Sequence, residues 1–246
     1  MFCRSKQRLN KLIQPTAQHM KKISLIIILI YGGNLLSQEI KVIRDFGVWA
    51  GIAFEKEVLS NYHITLETEA RTFNDASKLD DYMLHAQLKY PINKKFDLSG
   101  GIRYILDIKR VNGTQHNVRY NIDFEYKNKL TKKLRLRYRF RYQQEFINPY
   151  LYINFFFTGN VQQIYSSSIR NRIKLNFKHN EKHNLYSSFE LFRLFEIFRE
   201  PYFNKIRIFL GNRMNLFDVA IGFEKELNSN YPYSFVVLKT VYTFKK

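Results

Sequence analysis

The sequence predicts an all-β protein, a transmembrane antiparallel up-and-down β-barrel of ten to twelve strands. Residues 134–142 read Leu-Arg-Leu-Arg-Tyr-Arg-Phe-Arg-Tyr. This alternation puts Leu134, Leu136, Tyr138, Phe140 and Tyr142 on one face and Arg135, Arg137, Arg139 and Arg141 on the other, and a period of two belongs to strands. One such strand would also suit a soluble sandwich. Here the pattern recurs along nearly the whole chain behind a secretory leader, as a barrel with lipid outside and a polar interior requires.

The leader comes first in the chain. Met20-Lys21-Lys22 supplies a basic start, Ile23 to Tyr31 an apolar core, and Ser37 a small residue after which cleavage is expected. The apolar run is shorter than the roughly 20 residues a spanning helix needs. Residues 1–19, with Arg4, Lys6, Arg8 and Lys11 and no acid, extend an already complete basic region, so Met20 is the expected start of the natural protein. The expected division is a leader over 1–37 and an outer-membrane barrel over 38–246. Protein from outer membranes should then begin at or near Gln38, as N-terminal mass analysis would read. Retention of residues 23–31 would mean an inner-membrane anchor instead.

Composition fits export. The single cysteine, Cys3, precedes the leader core, which leaves the mature chain without a thiol for a disulfide or a cysteine-ligated metal, and without a lipoprotein cysteine. Of the formal charge of +19, six leader residues carry six, leaving +13. Such an excess raises nucleic acid as a partner, but an exported chain rarely meets any, and no helix-turn-helix, zinc-ligand spacing or RNA-binding signature is present. Anionic lipid headgroups and anionic solutes are the better partners.

No Pro/Gly/Ser-rich linker divides the chain. The roughly 210 residues from Gln38 fit ten to twelve strands of about 9 to 11 residues. Lipid-facing sets follow in order: Ile64, Leu66 and Ala70; Tyr82, Leu84, Ala86, Leu88 and Tyr90; Phe96, Leu98, Ile102, Tyr104 and Leu106; Val118, Tyr120, Ile122, Phe124 and Tyr126; Ile169, Ile173, Leu175 and Phe177. Their opposite faces carry Glu67, Glu69 and Arg71; His85, Gln87 and Lys89; Asp97, Arg103 and Asp107; Arg119, Asp123, Glu125 and Lys127; Arg170, Arg172, Lys174 and Lys178. Aromatics such as Tyr82 and Tyr90 end several sets, as interfacial girdles do, although strand propensity alone also favours them.

Toward the C-terminus, Phe217, Val219, Ile221 and Phe223 alternate with Asp218, Ala220, Gly222 and Glu224, and Val236, Leu238, Tyr242 and Phe244 share one face of a closing strand. A terminal strand ending in an aromatic is similar to the insertion signal of outer-membrane barrels, with the departure that Lys245 and Lys246 follow. Residues 147–166, with Asn148-Pro149 and an apolar run from Tyr150 to Phe157, admit a strand, a membrane-dipping loop or an infolded plug. Residues 189–199 repeat every three, a spacing that suits a helical turn as well as a strand.

Short turns are expected at 93–95, 128–133 and 180–182, and longer connections near 74–80, 108–116 and 143–166. If short turns are periplasmic, the strand beginning near Phe46 runs inward from outside, and either Glu39 to Arg44 add a strand or the count shifts by one. A direct count gives eleven. Closed bacterial barrels have even numbers of strands, hence ten or twelve.

Asp45 to Lys56, Gly101-Ile102-Arg103-Tyr104, the run from Arg135 to Tyr142 with Gln143, and Arg170 to Leu175 together resemble the domain-of-unknown-function 2490 family of small bacterial outer-membrane β-barrel proteins. The resemblance covers about residues 45 to 244. It implies a fold and an outer-membrane location, reached through the barrel-assembly machinery, and no catalytic residue.

No enzyme activity and no cofactor is expected. A lipid hydrolase needs a nucleophilic Ser with a His and an orienting group; His183 with Ser187 and Ser188 is the nearest approach, without a Gly-x-Ser-x-Gly site, and His85 reads as an interior histidine. Functional interest falls on the inward charges. Arg135, Arg137, Arg139 and Arg141 neighbour Arg119, Asp123 and Glu125, where cross-strand pairing is available, and the next face brings Arg170, Arg172, Lys174 and Lys178 without an acid. This basic stripe fits an anion-selective pore or anionic ligand site, or a plug in which Glu67, Glu69, Asp97 and Asp107 supply partners from across the interior.

Overall fold

The computed structural model describes residues 42–58, 61–109, 113–147, 165–196, 199–229 and 232–245. The leader, residues 38–41 and residues 148–164, most of the 147–166 stretch that admits a strand, a membrane-dipping loop or an infolded plug, lie outside the described residues. Eleven strands run through the rest: β1 (Ile43–Val58), β2 (Tyr62–Phe73), β3 (Lys78–Pro91), β4 (Phe96–Lys109), β5 (Gly113–Lys129), β6 (Leu134–Ile147), β7 (Tyr165–Lys178), β8 (His183–Glu196), β9 (Arg199–Met214), β10 (Phe217–Glu226) and β11 (Tyr233–Lys245). They close into one barrel in sequence order.

Every sequential pair is antiparallel. The ring closes through a parallel pair, β1 with β11, in register from Ile43↔Tyr233 to Glu55↔Lys245. Alternating directions return β11 to the sense of β1, so an odd barrel can close only with one parallel seam. The expectation of an even number assumed antiparallel closure throughout; the direct count of eleven matches the described strands.

The connections sort by barrel end. At one end lie the short turns 92–95, 130–133, 179–182 and 215–216. The 74–77 turn and the start of β1 lie at the opposite end. Two connections expected to be long are tighter than that. The β2–β3 turn is compact because Asn74, Asp75 and Ala76 adopt positive φ. The Asp45 carboxylate accepts from the backbone N–H of Asn74 and of Asp75, both at 3.0 Å, anchoring the turn to β1. Strands β4 and β5 likewise reach Lys109 and Gly113.

Within the 189–199 stretch the described residues, 189–196 and 199, are strand. Its spacing of three arises because the β8–β9 register shifts between Phe192 and Arg193 and again between Leu194 and Glu196, and such irregularities break alternation without a helix. On the inner side, Gly211 and Gly222 make room for rings: a Cβ on the first would collide with Tyr186, and one on the second with Phe209.

The outer surface is apolar all round. Ile52, Leu84, Ile102, Ile122, Leu210 and Ile221 are its most exposed aliphatic side chains, each more than half exposed. Aromatics gather toward the short-turn end, where the rings of Tyr62 and Tyr90 lie tilted at 5.2 Å and those of Phe96 and Tyr126 at 5.2 Å. Toward the other end, Tyr120 meets Phe146 at 5.9 Å.

Candidate functional site

A cavity of about 430 Å³ lies inside the barrel. Its walls are charged because every second residue of each strand points inward and the outer face has taken the apolar half of the alternation. Of the inward residues read from the sequence, Glu67, Glu69, Asp123, Glu125, Arg137, Arg139, Arg141, Arg170, Arg172 and Lys174 line it. Arg119 and Arg135 are among those that do not. Arg119 sits toward the opposite end, bound to Glu145, with its Nε donating at 2.9 Å. Arg135 lies near the short-turn rim and is exposed.

Twelve Arg and Lys face eight Asp and Glu around the cavity. Most are paired. Asp123 accepts from Arg141 Nε and Nη2, each at 2.5 Å, with Arg139 at 3.8 Å. Glu125 accepts from Arg137 Nε at 2.9 Å and has Arg172 at 3.8 Å. Glu69 holds Arg71 at 2.8 Å and Lys239 at 2.7 Å.

The centre of the network is Glu190 on β8. Arg139 Nη2 donates to it at 2.6 Å and Arg170 Nη2 at 2.9 Å, and Arg207 lies 3.8 Å away. Its side chain is only 6% exposed. Register explains the gathering: Arg139 faces Arg172, Arg172 faces Glu190, Glu190 faces Arg207 and Arg207 faces Glu224 across four successive strand pairs. The charges of β6 and β7 would repel each other if left alone; the acid of β8 supplies what β7 lacks. The partners of this stripe are therefore Asp123, Glu125 and Glu190, and the carboxylates expected from across the interior are placed elsewhere. Glu69 binds Arg71 and Lys239, and Asp97 binds Lys127 at 2.6 Å. Glu67 lines the cavity and forms no ion pair among the described residues.

Aromatic rings complete the wall. Trp49, the only tryptophan, carries the Arg71 guanidinium 4.0 Å above its ring and that of Arg207 at 4.8 Å. Arg170 covers Phe192 at 4.4 Å. Arg103 meets no carboxylate among the described residues, facing instead Met83 Sδ at 3.8 Å and His85 Nδ1 at 3.5 Å.

The cavity is one-sided. Its lining reaches Glu55, Lys89, Asp97, Arg137 and Arg213, near the short-turn end of their strands. Toward the opposite end the described inward residues are packed. Phe73, Met83, Ile105 and Phe192 are buried there with Gln115, Asn117 and Gln143, and Gln115 donates to Asn117 at 2.8 Å.

Catalytic alternatives gain little from this geometry. His183 and Ser187 lie on the same strand four residues apart, roughly 13 Å at strand rise, beyond the reach of a base for a nucleophile. Among the described residues no group of three His, Cys, Asp or Glu stands together as a metal site.

Residues 46–220 match the family model described as Protein of unknown function (DUF2490). The chain belongs to this family. No curated protein matches it. The matched span runs from near the start of β1 into β10 and contains Glu190 with Arg139, Arg170 and Arg207. The protein is an all-β barrel of that family whose activity is unassigned.

Proposed function

We propose that this barrel resides in the bacterial outer membrane and is closed to ion flow, serving as a structural or interaction barrel that acts through its ends. The leader and the aliphatic band flanked by aromatics support the location. A lipid partner follows from the same surface, and passage through the barrel-assembly machinery follows from the location. Closure is carried by one observation, the enclosure of Glu190 by Arg139, Arg170 and Arg207, which fills the interior with paired side chains as a narrow barrel does. No catalytic residue is proposed.

A second reading, an anion-selective channel, draws on the surplus of four cations around the cavity. Planar-bilayer recording of the purified protein separates the two. We expect silence at physiological salt. Steady current with anion preference would replace the closed barrel by the channel, and turnover of lipid by pure protein would replace both by an enzyme.

A further inference from the structure

The network does not neutralise every cation. On β7, Lys174 faces Arg137 across one strand pair and Ser188 across the other. Its ammonium lies 3.4 Å from the centre of the Tyr186 ring and forms no ion pair among the described residues. Arg172, Arg213 and Arg137 are the cations that act on it most strongly, against one acid, Asp218. That acid is engaged already, by Arg213 at 2.9 Å and by the Tyr186 hydroxyl at 2.7 Å. Among the described residues Arg172 has one ion pair, 3.8 Å to Glu125, which itself is bound by Arg137. Arg172, with that shared and distant carboxylate, Lys174, with no ion pair among the described residues, and the Ser188 hydroxyl thus present donors into the cavity on neighbouring strands.

Like charges held face to face destabilise a sheet. The neighbouring pairs Arg139↔Arg172 and Arg141↔Arg170 have Glu190 and Asp123 to offset them, but the Arg137↔Lys174 pair has only the Glu125 shared with Arg172. A tetrahedral oxyanion would supply the missing charge. A guanidinium fork, an ammonium and a hydroxyl are the donor set that such an anion takes, and the cavity volume lies in the range of small-molecule sites.

We propose that Arg172, Lys174 and Ser188 form a binding site for a phosphate group, entered from the short-turn end of the barrel. The site is a dead-end pocket and rests on the closed-barrel reading. The phosphate can belong to a free solute or to a lipid headgroup at the rim. Both offer anionic non-bridging phosphate oxygens to the same donors.

The test titrates inorganic phosphate into the folded barrel in a neutral detergent, with ionic strength held constant by chloride, and follows heat by calorimetry. The expected result is saturable binding that weakens by about tenfold or more in the Arg172→Gln/Lys174→Gln double variant, the loss of charge-assisted contacts. Lys94→Gln, in the exposed 92–95 turn at the same end, should leave the affinity unchanged. Heat-modifiable gel migration confirms that each variant is folded; Ser188→Ala, a gentler change, serves if the double variant does not fold and should weaken binding measurably. Binding seen only in micelles doped with an anionic phospholipid, and lost in the same variants, assigns the site to a headgroup. Absence of binding in both detergents, or an equal loss in Lys94→Gln, overturns the proposal. Bilayer current from the same preparation would count against closure separately, whatever phosphate does.

Discussion

Replacing Glu190 with Gln should lower the unfolding free energy of the barrel by about 3–5 kcal/mol, the cost of removing one partner from a buried ionic cluster. The size follows from what would be left behind. Arg139 still has Asp123 at 3.8 Å and Arg207 still has Glu224, onto which its Nε donates at 2.6 Å. Arg170 keeps only the Gln143 amide oxygen at 3.1 Å and the Phe192 ring. Its side chain is 8% exposed, so water cannot replace the carboxylate. The double variant Glu190→Gln/Arg170→Gln should therefore recover most of the loss, because it removes the cation that has no second acid. Urea unfolding of the wild type and both variants in lipid vesicles reads the difference. A Glu190→Gln barrel as stable as the parent would show that the cluster is solvated and the interior open, which would undo the argument for closure.

The positions that matter most here were unequally legible in the sequence. Arg135 to Arg141 alternate without a break, and Arg137, Arg139 and Arg141 line the cavity. The outer set opposite them is exposed for the same reason, since Tyr138, Phe140 and Tyr142 have no other side to occupy. Glu190 escaped because it stands just ahead of two register shifts, where Phe-Glu-Leu-Phe-Arg-Leu-Phe repeats by threes and conceals the period of two. An isolated acid between aromatics carries no local sign that three arginines from three other strands converge on it. That convergence depends on register, which each turn sets separately. Arg207 was missed similarly: Lys205, Arg207 and Phe209 alternate with Ile206, Ile208 and Leu210, a pattern visible once β9 is delimited. The parallel seam had no local signature at all. Parity alone hinted at it, because a count of eleven cannot close with antiparallel pairs.

Introducing Arg at Ile102 should cost about 2–4 kcal/mol if the outer surface meets lipid, the penalty for arginine near the midplane of a transmembrane barrel. Ile102 is a stringent position. It is 56% exposed on the outer face, and its paired neighbours Ala86 and Tyr120 offer no acid. The same substitution at Leu130, exposed in the 130–133 turn at the barrel rim, should cost only about 0–1 kcal/mol, because headgroups and water are within reach there. A soluble barrel predicts the reverse economy. With water outside, an arginine on an exposed strand position would shift stability by no more than about 0.5 kcal/mol, and Ile102→Arg would match Leu130→Arg while improving solubility. Unfolding both variants in lipid vesicles decides between these environments. An equal and small effect at the two sites would remove the membrane from this protein's account and leave the apolar outer band, from Ile52 round to Ile221, to be covered by another protein surface.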